Sequence, residues 1–129
     1  MGKHILLLLT ALFAMNAMAQ KTDTNGPLIH FNDKIYNYDT ISSGSSGECF
    51  FVFENIGDEP LIITSAFSSC GCTVPSWPQE PILPNKRGEI KIKYNTEKAG
   101  SFSKVIVVKS NSVDDANTIL RINGVVKKE

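Results

Sequence analysis

Apolar and polar residues alternate with a period of two over much of the chain. Ile90, Ile92 and Tyr94 are interleaved with Lys91 and Lys93, the pattern of a strand with one buried and one wet face. Cys49, Phe51 and Phe53 share one face of a second segment and Phe50 and Val52 the other, between Gly47 and the turn residues Asn55-Ile56-Gly57-Asp58. Leu61–Thr64, Lys104–Lys109 and Ile119–Val126 are enriched in β-branched residues, and Leu28–Phe31 and Ile35–Ile41 are shorter segments of the same kind. No window repeats apolar residues at helical spacing across three turns, so helices should be minor. About seven strands, with turn residues every ~8–12 positions, predict an all-β sandwich or barrel of a single domain.

The N-terminus breaks this pattern. Lys3 precedes the continuous apolar run Ile5–Phe13, and Ala17-Met18-Ala19 places small residues where a signal peptidase reads. Residues 1–19 are expected to be a cleaved signal peptide, which makes the protein exported, periplasmic or extracellular. Residues 20–27 read as a flexible leader and 28–129 as the domain. No other apolar stretch approaches the ~20 residues of a membrane-spanning helix, so no integral membrane segment is expected.

Removing the signal leaves 110 residues, enough for one self-sufficient core, with 12 basic against 13 acidic side chains. That balance argues against a nucleic-acid partner, which needs a net basic face. All three methionines and His4 leave with the signal, so His30 is the sole remaining imidazole. A histidine-rich zinc site and a thioether copper site are thereby excluded, and no cofactor is implied. His30 reads as a surface or edge residue, and no nucleophile motif or phosphate-binding loop accompanies it.

Pro75, Pro78, Pro81 and Pro84 recur at every third residue. With three residues per turn, a polyproline II helix would align all four along one edge, with Trp77 on a second. One reading is a stiff aromatic surface offered to a partner. The other is a crossover between sheets, in which proline denies donors to an edge strand and Trp77 plugs one end of the sandwich.

Chemistry, if any, must pass through Cys70-Gly71-Cys72. Three cysteines in an oxidising compartment are an odd number, so one stays unpaired within the chain. A Cys70–Cys72 bond closes a tiny loop worth about 1.6 kcal/mol by chain entropy and needs a turn that Gly71 could supply. Pairing Cys49 with Cys70 or Cys72 closes a longer loop, worth roughly 3.4 kcal/mol. Cys49 could equally be an inert buried thiol on the Phe51–Phe53 face. A buried or bridged structural pair, a soft-metal site and a redox pair are the three roles open to Cys70 and Cys72.

The order of motifs resembles the bacterial exported Ig-like domains known as domain of unknown function 1573, related in pattern to Hydin-type and major-sperm-protein-like sandwiches. The resemblance rests on Asn37-Tyr38-Asp39-Thr40-Ile41, on Phe51–Ile63 with its Asn-x-Gly-x-x-Pro-Leu turn, and on Ser69-Cys70-Gly71-Cys72-Thr73. It continues through Trp77-Pro78, Ile82-Leu83-Pro84, Gly88-Glu89-Ile90, Ser110-Asn111 and Ile122-Asn123-Gly124. It departs at Asp39, where the family usually has glycine, and at Cys49, which lies outside the family pattern. The resemblance implies an Ig-like β-sandwich in the envelope or outside the cell, and no established activity. The expected function is a structural or protein-interaction module whose partner is an envelope or extracellular protein, not an enzyme. The alternative is a thiol-based metal or redox protein using Cys70 and Cys72.

Overall fold

The computed structural model describes residues 25–128, and each period-two segment there becomes a strand. In chain order these are β1 (Ile29–Phe31), β2 (Ile35–Ser42), β3 (Glu48–Asn55), β4 (Ile63–Ser68), β5 (Thr73–Ser76), β6 (Arg87–Tyr94), β7 (Gly100–Ser110) and β8 (Asn117–Lys127). None of the described residues is helical. The expected signal peptide lies outside the described residues.

Two four-stranded sheets face each other, ordered β1-β3-β6-β5 and β2-β8-β7-β4. Every pairing is antiparallel except β2 with β8, which is parallel. The N-terminal chain therefore pairs with one sheet through β1 and crosses to the other as β2. Phe53, Leu61, Ile90, Ile92, Ile106, Leu120 and Ile122 fill the space between the sheets and are fully buried. Burial of each such side chain contributes about 1.5–3 kcal/mol. At one end Tyr94 stacks on Phe102 with ring centroids 3.9 Å apart, and Tyr38 packs against both rings.

The opposite end is organised by a polar residue. Asn55 closes β3, is fully buried and uses all its side-chain hydrogen-bonding groups. Its Oδ1 accepts from the amides of Gly57 (2.9 Å) and Leu28 (3.3 Å), and its Nδ2 donates to the carbonyls of Glu59 (2.7 Å) and Ile82 (2.9 Å). Its own amide donates to Lys86 and its carbonyl accepts from Asn85. One side chain thus ties the start of β1, the turn after β3 and the segment before β6. Gly57 is required here by close approach, because a Cβ would collide with the Gly26 carbonyl and the Leu28 amide.

Gly26 and Pro27, placed by the sequence in a flexible leader, are buried against this turn. The Gly26 amide donates to Asp58, the Asp58 amide donates back to Gly26, and Val113 donates to the Pro27 carbonyl. Asp39 also finds its explanation. It adopts a left-handed φ of 56° at the irregularity in the β2–β8 ladder between Asn37 and Thr40. That is a backbone conformation glycine adopts freely and aspartate tolerates with the help of a local bond, here its amide to Asn37 Oδ1 at 2.9 Å.

Candidate functional site

Cys70 and Cys72 lie where the chain changes sheets. β4 ends at Ser68 in one sheet and β5 starts at Thr73 in the other, so Ser69–Cys72 form the whole crossing. The Thr73 amide donates to the Cys70 carbonyl (3.2 Å) and closes the turn, and the Asn95 amide donates to the Cys72 carbonyl (2.8 Å) and ties it to the end of β6. Within this turn Cys70 and Cys72 are disulfide-bonded to each other, with Cα atoms 5.2 Å apart. Of the pairings open in the sequence, the structure takes the local one. Neither sulfur is then a thiolate able to ligate a metal. The turn is made at Gly71, as the sequence allowed, but it does not use glycine's special freedom, because Gly71 lacks a left-handed φ and a Cβ there would meet open space.

Gly71 and Cys72 border an open cleft of about 470 Å³, lined also by Val74, Lys93, Asn95 and Thr96. Cys49 is not part of it. It points into the core, buried and unpaired. Burial pushes its thiol above the ordinary range, partly offset by the neighbouring Tyr38 hydroxyl. Tyr38 itself is pushed far above the usual tyrosine value, first by burial and then by Cys49, while its hydroxyl donates to the Gly47 carbonyl at 2.7 Å. A thiol held neutral in this way is a poor nucleophile. Among the described residues no three His, Cys, Asp or Glu side chains come together. His30 is exposed on the edge strand β1.

The four prolines do not lie along one polyproline helix. Pro75 is within β5, opposite Ile92. The chain bends at Gln79–Glu80, pairs Ile82 with Leu61 through two 2.8 Å hydrogen bonds, and turns at Pro84-Asn85. Nor does the segment cross between sheets, since it joins β5 to its own neighbour β6. The edge-strand reading of proline fits at Pro75. Asn95 bonds to Cys72, so alternation gives Val74 and Ser76 the bonds to β6, and the nitrogen of Pro75 faces outward. Proline there blocks a sheet edge without cost to the ladder. Trp77 is half-buried and packs against the core, while Pro78 is half-buried and Pro81 exposed.

Sequence reading missed β5 and Asn55. It also passed over the exposed apolar group Ile35, Tyr36, Phe50 and Val52, whose signal was the unbroken apolar run Cys49–Phe53 on a strand that should have a wet face.

The sequence profile of the family described as protein of unknown function (DUF1573) matches residues 29–126, nearly all of the described chain. The chain belongs to the DUF1573 family. No curated protein matches it. Solved structures similar to this DUF1573 chain share the fold at low identity. A protein of unknown function from Porphyromonas gingivalis W83 superposes with a TM-score of 0.70 at 12% identity, over 84% of this chain and 51% of that one. The chain therefore spans about half the length of that protein. The ASH/PapD-like domain of human CEP192 gives a TM-score of 0.61 at 11% identity, over 89% and 94%. The periplasmic chaperone SfaE gives 0.53 at 12% identity, over 78% and 58%. These likenesses show the fold alone, an eight-stranded Ig-like β-sandwich.

Proposed function

We propose that this DUF1573 chain is an exported, non-catalytic interaction module of the cell envelope. The observation that carries the reading is a contrast between sealed chemistry and exposed apolar surface. Cys70 and Cys72 consume each other, Cys49 is buried and neutral, and large apolar side chains such as Phe50, Val74 and Phe67 stand on the outer faces of both sheets. Surface of that kind serves contact with another macromolecule better than turnover of a small substrate. Export rests on the N-terminal signal pattern, and the likeness to a periplasmic chaperone is compatible with it.

Capture from an envelope fraction tests the reading. The mature chain should retain a specific envelope or extracellular protein, and Trp77→Ala should retain less if the half-buried indole borders the contact. Equal recovery by both removes Trp77 from the contact. No recovery by either argues against a module.

A further inference from the structure

β3 is paired along its whole length on one side only. On the other side, β1 covers just Phe53–Asn55, and the last contact is the Asn32 amide to the Val52 carbonyl at 3.3 Å. The chain then leaves at Asp33 to form β2 in the opposite sheet. The ladder phase fixes which groups are left. Tyr94 donates to the Gly47 carbonyl and the Asn55 amide donates to Lys86, so the odd-numbered residues of β3 bond to β6. The even-numbered ones face the other way. Glu48 and Phe50 thus present amide and carbonyl, and Val52 its amide, to an edge that no described backbone group fills.

This edge lies beside a hollow of about 240 Å³ lined by Ile35, Tyr36, Phe50, Phe51, Val52 and the Asn32-Asp33 corner. Ile35 is 63% exposed and Phe50 49%. Nothing guards the edge in the way Pro75 guards β5, and Glu48 is paired with Lys91 at 3.2 Å. Asp33 is the one charged side chain lining the hollow and, among the described residues, makes no salt bridge. It stands at the end where β1 leaves off.

We propose that Glu48–Val52 is a strand-addition site for an extended segment of a partner protein, which would continue the line of β1 antiparallel to β3. Its alternate side chains are bulky and apolar to fill the hollow, and its N-terminal end carries a lysine or arginine opposite Asp33. Backbone bonds supply affinity in this mode, and the hollow and the carboxylate supply selectivity. The proposal rests on the interaction-module reading and names its surface.

The probe is a synthetic peptide, Lys-Thr-Phe-Thr-Val-Thr, compared with the same peptide beginning with glutamate and titrated into the isotopically labelled mature chain. The lysine peptide should shift the amides of Glu48, Phe50 and Val52 and bind several-fold more tightly than the glutamate peptide. Phe50→Pro removes an outward amide together with the phenyl ring that lines the hollow, and should weaken binding at least about tenfold, whereas Phe50→Ala, which keeps the amide, should weaken it less; both should change the urea midpoint little. Asp33→Asn should abolish the preference between peptides while leaving the glutamate peptide unaffected or slightly improved. Shifts confined to another edge, or no binding at about 1 mM, overturn the site. So does a concentration-dependent dimer that Phe50→Pro dissolves, which would make the occupant a second copy. If the envelope partner is captured equally by wild type and Phe50→Pro, the module stands and this surface falls. If peptide binding behaves as expected but no envelope protein is captured, the edge stands and the module reading falls.

Discussion

Two family motifs anchor opposite ends of the sandwich by different physics. At one end the Asn55 side chain joins three chain segments through four hydrogen bonds in a fully buried site. At the other, the Cys70–Cys72 bond sits half-exposed in a four-residue crossing and joins only its own neighbours. The covalent link is the stronger bond, yet it constrains the shorter stretch of chain. The asparagine is weaker bond by bond, yet it replaces water for backbone groups from Leu28 to Ile82 that are distant in sequence. Stabilisation follows what a contact organises, and chemical conspicuousness is a poor guide to it.

The comparison breaks first, if it breaks, at Asn55. Asn55→Ala strands several buried backbone groups at once and should cost at least about 3 kcal/mol in urea unfolding. A loss below that of the cysteine variants would reverse the ranking. Cys70→Ser with Cys72→Ser should cost only about 1.6 kcal/mol, the chain-entropy value of so small a loop. Reductant added to the wild type should reproduce that loss in the same unfolding assay.

Alkaline titration sharpens the contrast, because Tyr38 and Cys49 both lie toward the cysteine end. Their values are raised in the folded state, so the stability they contribute is complete below the unfolded values of about 8.5 and 10 and is lost as pH climbs through them. Urea midpoints should fall above about pH 9, and Cys49→Val should blunt the early part of the fall. A smaller gain of about 0.5 kcal/mol is expected from Asp39→Gly, which relieves a left-handed backbone at the expense of a looser unfolded chain. Gly71→Ala should change least, within about 0.5 kcal/mol, and leave the disulfide intact by mass.

Much of the fold was legible because β3 and β6 put apolar residues inward in strict alternation, and the pattern survives at Ile90, Ile92 and Tyr94 without exception. β5 was hidden because it inverts that pattern. Its buried residue is Thr73, its neighbour Val74 is exposed, and Pro75 argues against any strand. Cys49 was correctly placed on the inward face, but which cysteines pair depends on a turn whose geometry no spacing dictates. Asn55 looked like any turn asparagine, since burial of a polar side chain is a tertiary property. The open edge of β3 was invisible for a related reason. It exists only because β1 stops at Phe31 and the next strand joins the other sheet.

That switch has a mechanical consequence. β2 runs parallel to β8, with Ile35 beside Arg121 and Ser42 beside Lys127. Tension applied between Ile35 and Lys127 would drag these strands past each other along their length. The ladder bonds then share the load and must fail together, whereas a hairpin pulled from its open end unzips one bond at a time.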